Sequence, residues 1–484
     1  MTRVMMIGYG PLPRPGLKLF MAPSLRTRHL LHGALEGGHQ VDLYTLPLPG
    51  TEGDEAERWE LLDDEYEGLA FKRFTNHSGE FAIRTLGEEV QRVQPDAIVG
   101  VNTYPSYIAT TIPTSIPVWC DLNGYWMAEI AARCHAEGDD GRLMGAWAIE
   151  RAIVRRLDKF SAVSRPQLHA VLGEMASVGR LNRHTFNYHF GAHIPNAAHR
   201  WPEPENDGAA PVLRGPVVPE DAFVILWSGG FNLWTDIAML VQAMDELMRQ
   251  NSRVHFVSTG GKLEGVDTQT YRRFEEAVEA SPHRERYHRL GWVDSSRIPR
   301  IYREANVGLN VDGPNYETFF GARNRINAMA AEGLAVCTTL GTEISEWLAD
   351  GEAIAVARMG DPQSLVEAIE PWIEQPEQLA IYRRRAREIM ERDFSYSATT
   401  RALRAWLESP TLSPDNEAKI RNSGGEIHDL NSGAVNDLAG QALLLEKIDA
   451  RAFIQTAREL EQLKKKPWFR AFLKLRKMLG SKGI

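Results

Sequence analysis

Cysteine is scarce in this sequence of 484 residues: Cys120, Cys134 and Cys337 are the only three, and no two stand in a C-x-x-C spacing. An odd number without paired spacing argues against a disulfide framework, and the three read as small buried hydrophobes in a reducing compartment. No apolar run is long enough to span a bilayer, and MTRVMMIGYG at the start lacks the basic region, apolar stretch and cleavage site of a secretion signal. A cytoplasmic location is therefore expected. Positive charge is not in excess; the formal net charge of -9 argues against nucleic acid as a partner. His184, His189, His193 and His199 cluster without neighbouring carboxylates or regular ligand spacing, and no two aspartates form a D-x-D pattern. No metal site is expected, and Mg²⁺ or Mn²⁺ has no evident binding motif.

What is present is ordinary globular composition, 43% hydrophobic and 25% charged residues, in a chain too long for one core. Short apolar runs alternate with helical patterns, the rhythm of a parallel sheet covered by helices, and the rhythm occurs twice. The spacing predicts an α/β fold of two Rossmann-like domains, residues 1–205 and 222–392, joined by a proline-rich acidic linker. Asp54 to Glu67 reads as an acidic insertion. Residues 393–409 are expected to form a helix packing back across the junction, 410–436 a flexible linker, and 437–484 a helical basic tail.

Parallel α/β sheets bind ligands at the carboxyl ends of their strands, where helix N-termini offer free N–H groups to phosphates. GYGPLPRPGLKLF, Gly8 to Phe20, is one glycine/proline loop in such a place, with Gly16 the acceptor-side candidate. WSGGFNLWTD is the sharper junction. There Gly229 and Gly230 permit close backbone approach, Phe231 or Trp234 can line a base or sugar, and Asn232 can hydrogen-bond a polar ligand; a tight turn with Thr235 capping the next helix is the alternative. Arg323, Asn324 and Arg325 precede a small-residue helix and suit a diphosphate, although a solvated basic turn has the same sequence. Glu317 stands just before them. In DLNGYWMAE, Asp121 at a strand end can orient an acceptor hydroxyl or merely cap the turn, with Asn123 and Glu129 beside it.

In this order, "SGGFN-x-WTD", "GW", "ET", "GARNR", "MAAEGLAV" and "GTEIS" resemble the C-terminal domain of GT-B glycosyltransferases of the family-4-like group. "HLLHGALEGGHQVDLYT", "DAIVGVN", "PVWCDLNGYWMAE", "FSAVSRPQ" and "IPNA" look like the matching N-terminal domain, so the resemblance covers about Met1 to Ser409. It implies a nucleotide-diphosphate-sugar substrate, no further cofactor and metal-independent transfer with retained anomeric configuration; Glu317 and Asp121, by their positions near predicted strand ends, are the catalytic candidates. The family's E-x7-E pair is displaced: anchoring on Gly333 puts Phe320 and Ala328 at those positions, with Glu317 nearby and Asn327 next to the second. The family's diphosphate-holding Arg and Lys are also missing, which makes Arg323 and Arg325 the replacements.

The implied function is sugar transfer to a glycan or lipid-linked acceptor, as in polysaccharide biosynthesis for the cell envelope. Two rivals share the fold, a non-catalytic binding or scaffold protein and a nucleotide-sugar epimerase. The last stretch, KKKPWFRAFLKLRKMLGSKGI, mixes Lys and Arg with Trp468, Phe469, Phe472 and Leu473. That pattern predicts peripheral attachment to an anionic membrane surface, on the inner face of the plasma membrane. Self-association is left open.

Overall fold

The computed structural model describes residues 1–14, 16–17, 21–48, 59–76, 79–197, 210–262 and 267–422. The first domain runs β1 (Arg3–Gly10), α1 (Ala22–Glu36), β2 (Gln40–Pro47), β3 (Leu61–Tyr66), β4 (Leu69–Phe74), α2 (Gly79–Val93), β5 (Ala97–Val101), α3 (Thr103–Thr111), β6 (Val118–Leu122), α4 (Trp126–Glu137), α5 (Leu143–Arg156), β7 (Lys159–Ala162), α6 (Arg165–Ser177) and β8 (Gly191–His193). Its sheet has the order β3-β4-β2-β1-β5-β6-β7-β8 and is parallel except for the β3–β4 hairpin. β5 and β6 are buried along their whole length, as a strand covered on both faces must be.

The second domain runs β9 (Phe223–Ser228), α7 (Ile237–Gln250), β10 (Val254–Thr259), α8 (Gln269–Ala280), β11 (Tyr287–Arg289), α9 (Ile298–Glu304), β12 (Val307–Asn310), α10 (Tyr316–Phe320), α11 (Asn324–Ala331), β13 (Ala335–Thr339), α12 (Glu343–Asp350), β14 (Ala355–Ala357), α13 (Pro362–Glu374) and α14 (Leu379–Asp393). Its six strands, β11-β10-β9-β12-β13-β14, are all parallel. The chain then returns to the first domain as α15 (Tyr396–Thr399) and α16 (Arg401–Leu407), which pack on α1. Close contact there is set by Gly33, where an added Cβ would lie 2.6 Å from the Thr400 side chain.

Two sequence expectations change. Leu61 to Tyr66, read as part of an acidic insertion, is an edge strand that turns at Glu67 and Gly68, with φ of 50° and 82°, into β4. The acidic run Asp63, Asp64 and Glu65 suits an edge that faces water, and Gly68 was the turn signal. Pro410 to Asn422, read as the start of a flexible linker, instead carries α17 (Pro414–Asn422) docked on the first domain. Asp415 pairs with the buried Arg180, and Asp158 accepts from the Ser413 backbone at 2.8 Å and from Asn416 Nδ2 at 2.8 Å. The remainder of that linker and the basic tail lie outside the described residues.

Candidate functional site

A cleft of about 520 Å³ opens between the two sheets, lined by residues from the strand ends of both domains. From the second domain it is walled by Ser228, Gly229, Gly230, Asn232, Trp234 and the start of α11. The turn after β9 works because Gly229 takes φ 88°, and Gly260 (φ 93°) must lack a side chain: a Cβ there would lie 2.6 Å from the Gly229 carbonyl carbon. Asp236, not Thr235, caps α7 by accepting from the Met239 N–H at 2.9 Å. Phe231, expected to line a base or sugar, is instead fully buried, stacked on Trp227 and Phe274 at 4.8 and 4.5 Å. Its ring belongs to the core; of the two aromatic candidates it is Trp234 that lines the cleft.

The two arginines of the GARNR loop separate. Arg323, expected to grip a diphosphate, is 4% exposed and held by Asp312 at 2.7 Å and Glu317 at 2.7 Å. Burial works against its charge, but the two carboxylates outweigh that and hold its pKa above the ordinary value. Its donors are occupied, so its role is to lock Glu317 in place. Arg325 is different. Its guanidinium carbon lies 3.8 Å from the centroid of the Trp227 ring and one nitrogen donates to the Gly230 carbonyl. No carboxylate among the described residues forms an ion pair with it, and burial lowers its pKa to about 10. It lines the cleft beside Asn324, the first residue of α11, so a cation and the positive end of a helix border one cavity.

Glu317 lines the same cleft, with burial raising its pKa against the pull of Arg323. From the first domain Glu129 faces the cavity on α4. Burial, then the nearby charge of Glu317, raises its pKa to about 8 while Arg133 and Arg323 oppose the shift. Its carboxyl lies against Gly124, where an added Cβ would be 2.4 Å from Oε1. Asn123 also lines the cleft and donates to Asn102 Oδ1 at 2.9 Å.

Asp121 does not reach the cavity, which corrects its expected role in holding an acceptor. Its side chain is fully buried; Arg26 donates to both oxygens, at 2.6 and 2.8 Å, and Ser161 donates to Oδ1 at 2.6 Å. Arg26 in turn donates to the Ile194 carbonyl and Asn196 Oδ1, so the pair ties α1 to β6 and the chain after β8. Gly16, the other acceptor-side candidate, sits exposed at φ 89° near the rim rather than in the cleft wall. Its loop touches the second domain, where the Ser295 N–H donates to the Leu17 carbonyl at 3.1 Å.

The domains also meet across the cleft's flank. Ser164 donates to the Phe320 carbonyl at 2.6 Å, Tyr125 packs edge-on to Phe320 at 4.7 Å, and Glu343 accepts from the Arg165 N–H at 2.6 Å and from His193 at 2.7 Å. Phe320 is thus an interface residue, whereas Ala328 and Asn327 line the cavity and Asn327 donates to the Asn196 carbonyl. Arg133, which the sequence did not single out, also lines the cleft, two turns into the face of α4 that carries Trp126 and Glu129. Among the described residues no group of three or more His, Cys, Asp or Glu is arranged to hold a metal ion, and no helix is long and apolar enough to cross a membrane.

Residues 238–405 match the family described as Glycosyl transferase-like. No curated protein matches the chain in sequence. Among solved structures, a sucrose-phosphate synthase from Thermosynechococcus elongatus aligns over 84% of this chain and 98% of its own at 15% identity and a TM-score of 0.63. Anabaena HepE in complex with UDP-glucose aligns over 84% of this chain and 100% of its own at 14% identity and a TM-score of 0.57. An α,α-trehalose-phosphate synthase (UDP-forming) from Burkholderia xenovorans, in complex with glucose-6-phosphate, covers 84% and 100% at 10% identity and a TM-score of 0.59. The chain has the GT-B fold, and its second half carries a glycosyl transferase-like domain.

Proposed function

We propose that this chain transfers a sugar from a nucleotide diphosphate to an acceptor held by the first domain. The observation that carries the reading is Arg325, a cation without a carboxylate partner among the described residues, placed beside the Gly229–Gly230 turn and the start of α11. A diphosphate there receives charge-assisted hydrogen bonds from a guanidinium already fixed over Trp227, with backbone N–H groups and the helix dipole adding to them. Growing negative charge on the leaving diphosphate is then stabilised by groups that need not reorganise.

Glu317, oriented by Arg323, faces the donor sugar. Glu129, on the opposite wall, takes the acceptor-side role expected of Asp121, since a carboxyl with a pKa near neutrality can hold or accept a proton from a hydroxyl within reach. Transfer without a divalent metal is supported by the absence of a D-x-D pattern and by Arg325 supplying positive charge where a metal otherwise does. Retained configuration and an acceptor that is a glycan or lipid-linked glycan, within cell-envelope synthesis, are the finer parts of this reading. For the latter the support is the basic, aromatic tail, which lies outside the described residues and suits an anionic membrane surface.

Incubating the purified protein with a panel of nucleotide sugars, with and without EDTA, tests the proposal. Release of nucleoside diphosphate that persists in EDTA is the expected result. Epimerised sugar as the sole product would favour the epimerase reading, and no turnover with any donor would favour the scaffold, a reading that Phe320 and Ala328 at the family's glutamate positions keep in play.

A further inference from the structure

We infer that the first-domain wall of the cleft holds a second anion site, centred on Arg133, which selects an acceptor carrying a phosphate or carboxylate group. The inference rests on the donor reading above and adds a specificity residue on the opposite wall. Trp126, Glu129 and Arg133 lie at i, i+3 and i+7 of α4, one helical face, and all three line the cavity.

Arg133 is not neutralised by its neighbours. Glu137, one turn further on, accepts from Arg142 at 2.8 Å, and Asp139 accepts from the Gly141 N–H at 3.0 Å. Glu317 across the cleft is taken by Arg323. Glu129, one turn back, lies against Gly124 and forms no ion pair with Arg133, and burial favours its neutral form. Among the described residues Arg133 forms no ion pair, although the chain as a whole is acidic.

An arginine left unpaired in a cavity keeps a planar fork of donors for an oxyanion, and ligand carboxylates and phosphates match that fork. The surroundings suit a sugar bearing such a group: Trp126 and Tyr104, both of the first domain, line the cavity and offer flat apolar surface to a ring, while Asn123 offers an amide. Arg325 stands on the other domain, so the two cations can separate two anions, one on the donor and one on the acceptor.

The test is calorimetric titration of the full chain, saturated with UDP, with glucose, glucuronate and glucose 6-phosphate, in wild type and in Arg133→Gln. The two anionic sugars should bind more tightly than glucose. The substitution should weaken them by roughly tenfold to hundredfold, the worth of a charge-assisted hydrogen bond, while UDP affinity and melting temperature stay unchanged. A preference for glucuronate or for the phosphate identifies which anion the fork fits. Equal binding of all three sugars, or unchanged affinity in Arg133→Gln, overturns the site, and parallel loss of UDP affinity assigns Arg133 to the donor and overturns it as well. Failure of the wild type to bind UDP, GDP, ADP or dTDP contradicts the donor reading alone; the sugars titrated into the free protein then still report on Arg133.

Discussion

Arg323 donates to Glu317 through a 2.7 Å contact inside the second domain, whereas Arg325, two residues later, has no acidic partner among the described residues and lines the cleft. Two arginines one residue apart therefore differ in surroundings: both border the cleft, but Arg323 is taken up by carboxylates and Arg325, in the first turn of α11, is not.

Substituting Arg323 by Ala should lower stability by about 3–5 kcal/mol, because Asp312 and Glu317 are left buried without their cation. Denaturant midpoints measure this. Loss of activity in Arg323→Ala should track loss of folded protein and a displaced Glu317, not lost contact with a diphosphate.

Asp121→Asn should likewise act on stability. It leaves Arg26, fully buried and among the described residues ion-paired only to Asp121, without compensation, and a cost of about 3–5 kcal/mol is expected. If the folded variant instead kept full stability and lost affinity only for the acceptor, the carboxylate would belong to the site after all.

Glu129 makes stability depend on pH. Its pKa is about 8 in the folded chain and 4.5 in the unfolded reference, so between those values the folded state holds more proton and is favoured at the acid end. The contribution is fully present below pH 4.5 and is lost as pH rises through about 8. Glu129→Gln should flatten the melting-temperature profile of the free protein over that window; an unchanged profile would place the titration elsewhere.

The docked helix α17 alters where the chain can be cut. Ending it at Ser409 removes Asp415 from the buried Arg180 and Ser413 and Asn416 from Asp158, and should lower the melting temperature, whereas ending it at Asn422 should not. Of these two forms, only the second isolates the tail for vesicle-binding measurements, where loss of binding to anionic lipid is expected relative to the full chain.

Much of the fold was legible because buried parallel strands read as unbroken apolar runs, as in AIVGV of β5 and FVILW of β9. The hairpin of β3 and β4 was not, since an exposed edge strand carries charges that look like a loop. Short polar segments such as Ser413 to Asn416 are equally opaque: they are ordered by buried partners more than two hundred residues away, Asp158 and Arg180, and nothing local announces this. The site shows the same division. Gly229, Gly230, Asn232, Glu317, Asn324 and Arg325 stand in the cleft where strand-end logic put them. Sequence could not tell that Phe231 turns inward, that Arg26 neutralises Asp121, or that Arg323 is consumed by two carboxylates, because each depends on which side of a turn a side chain leaves. Arg133 was overlooked for a related reason, though its spacing from Trp126 and Glu129 on a helix was a usable signal.

The central claim is that Arg325 holds the donor diphosphate. Calorimetry of UDP binding to wild type, Arg325→Ala and Arg325→Lys tests it most directly, with melting curves confirming that each is folded. The account predicts a loss of roughly tenfold to hundredfold for Ala and partial recovery for Lys, which keeps the charge but not the fork. Wild-type affinity in a folded Arg325→Ala variant would contradict it.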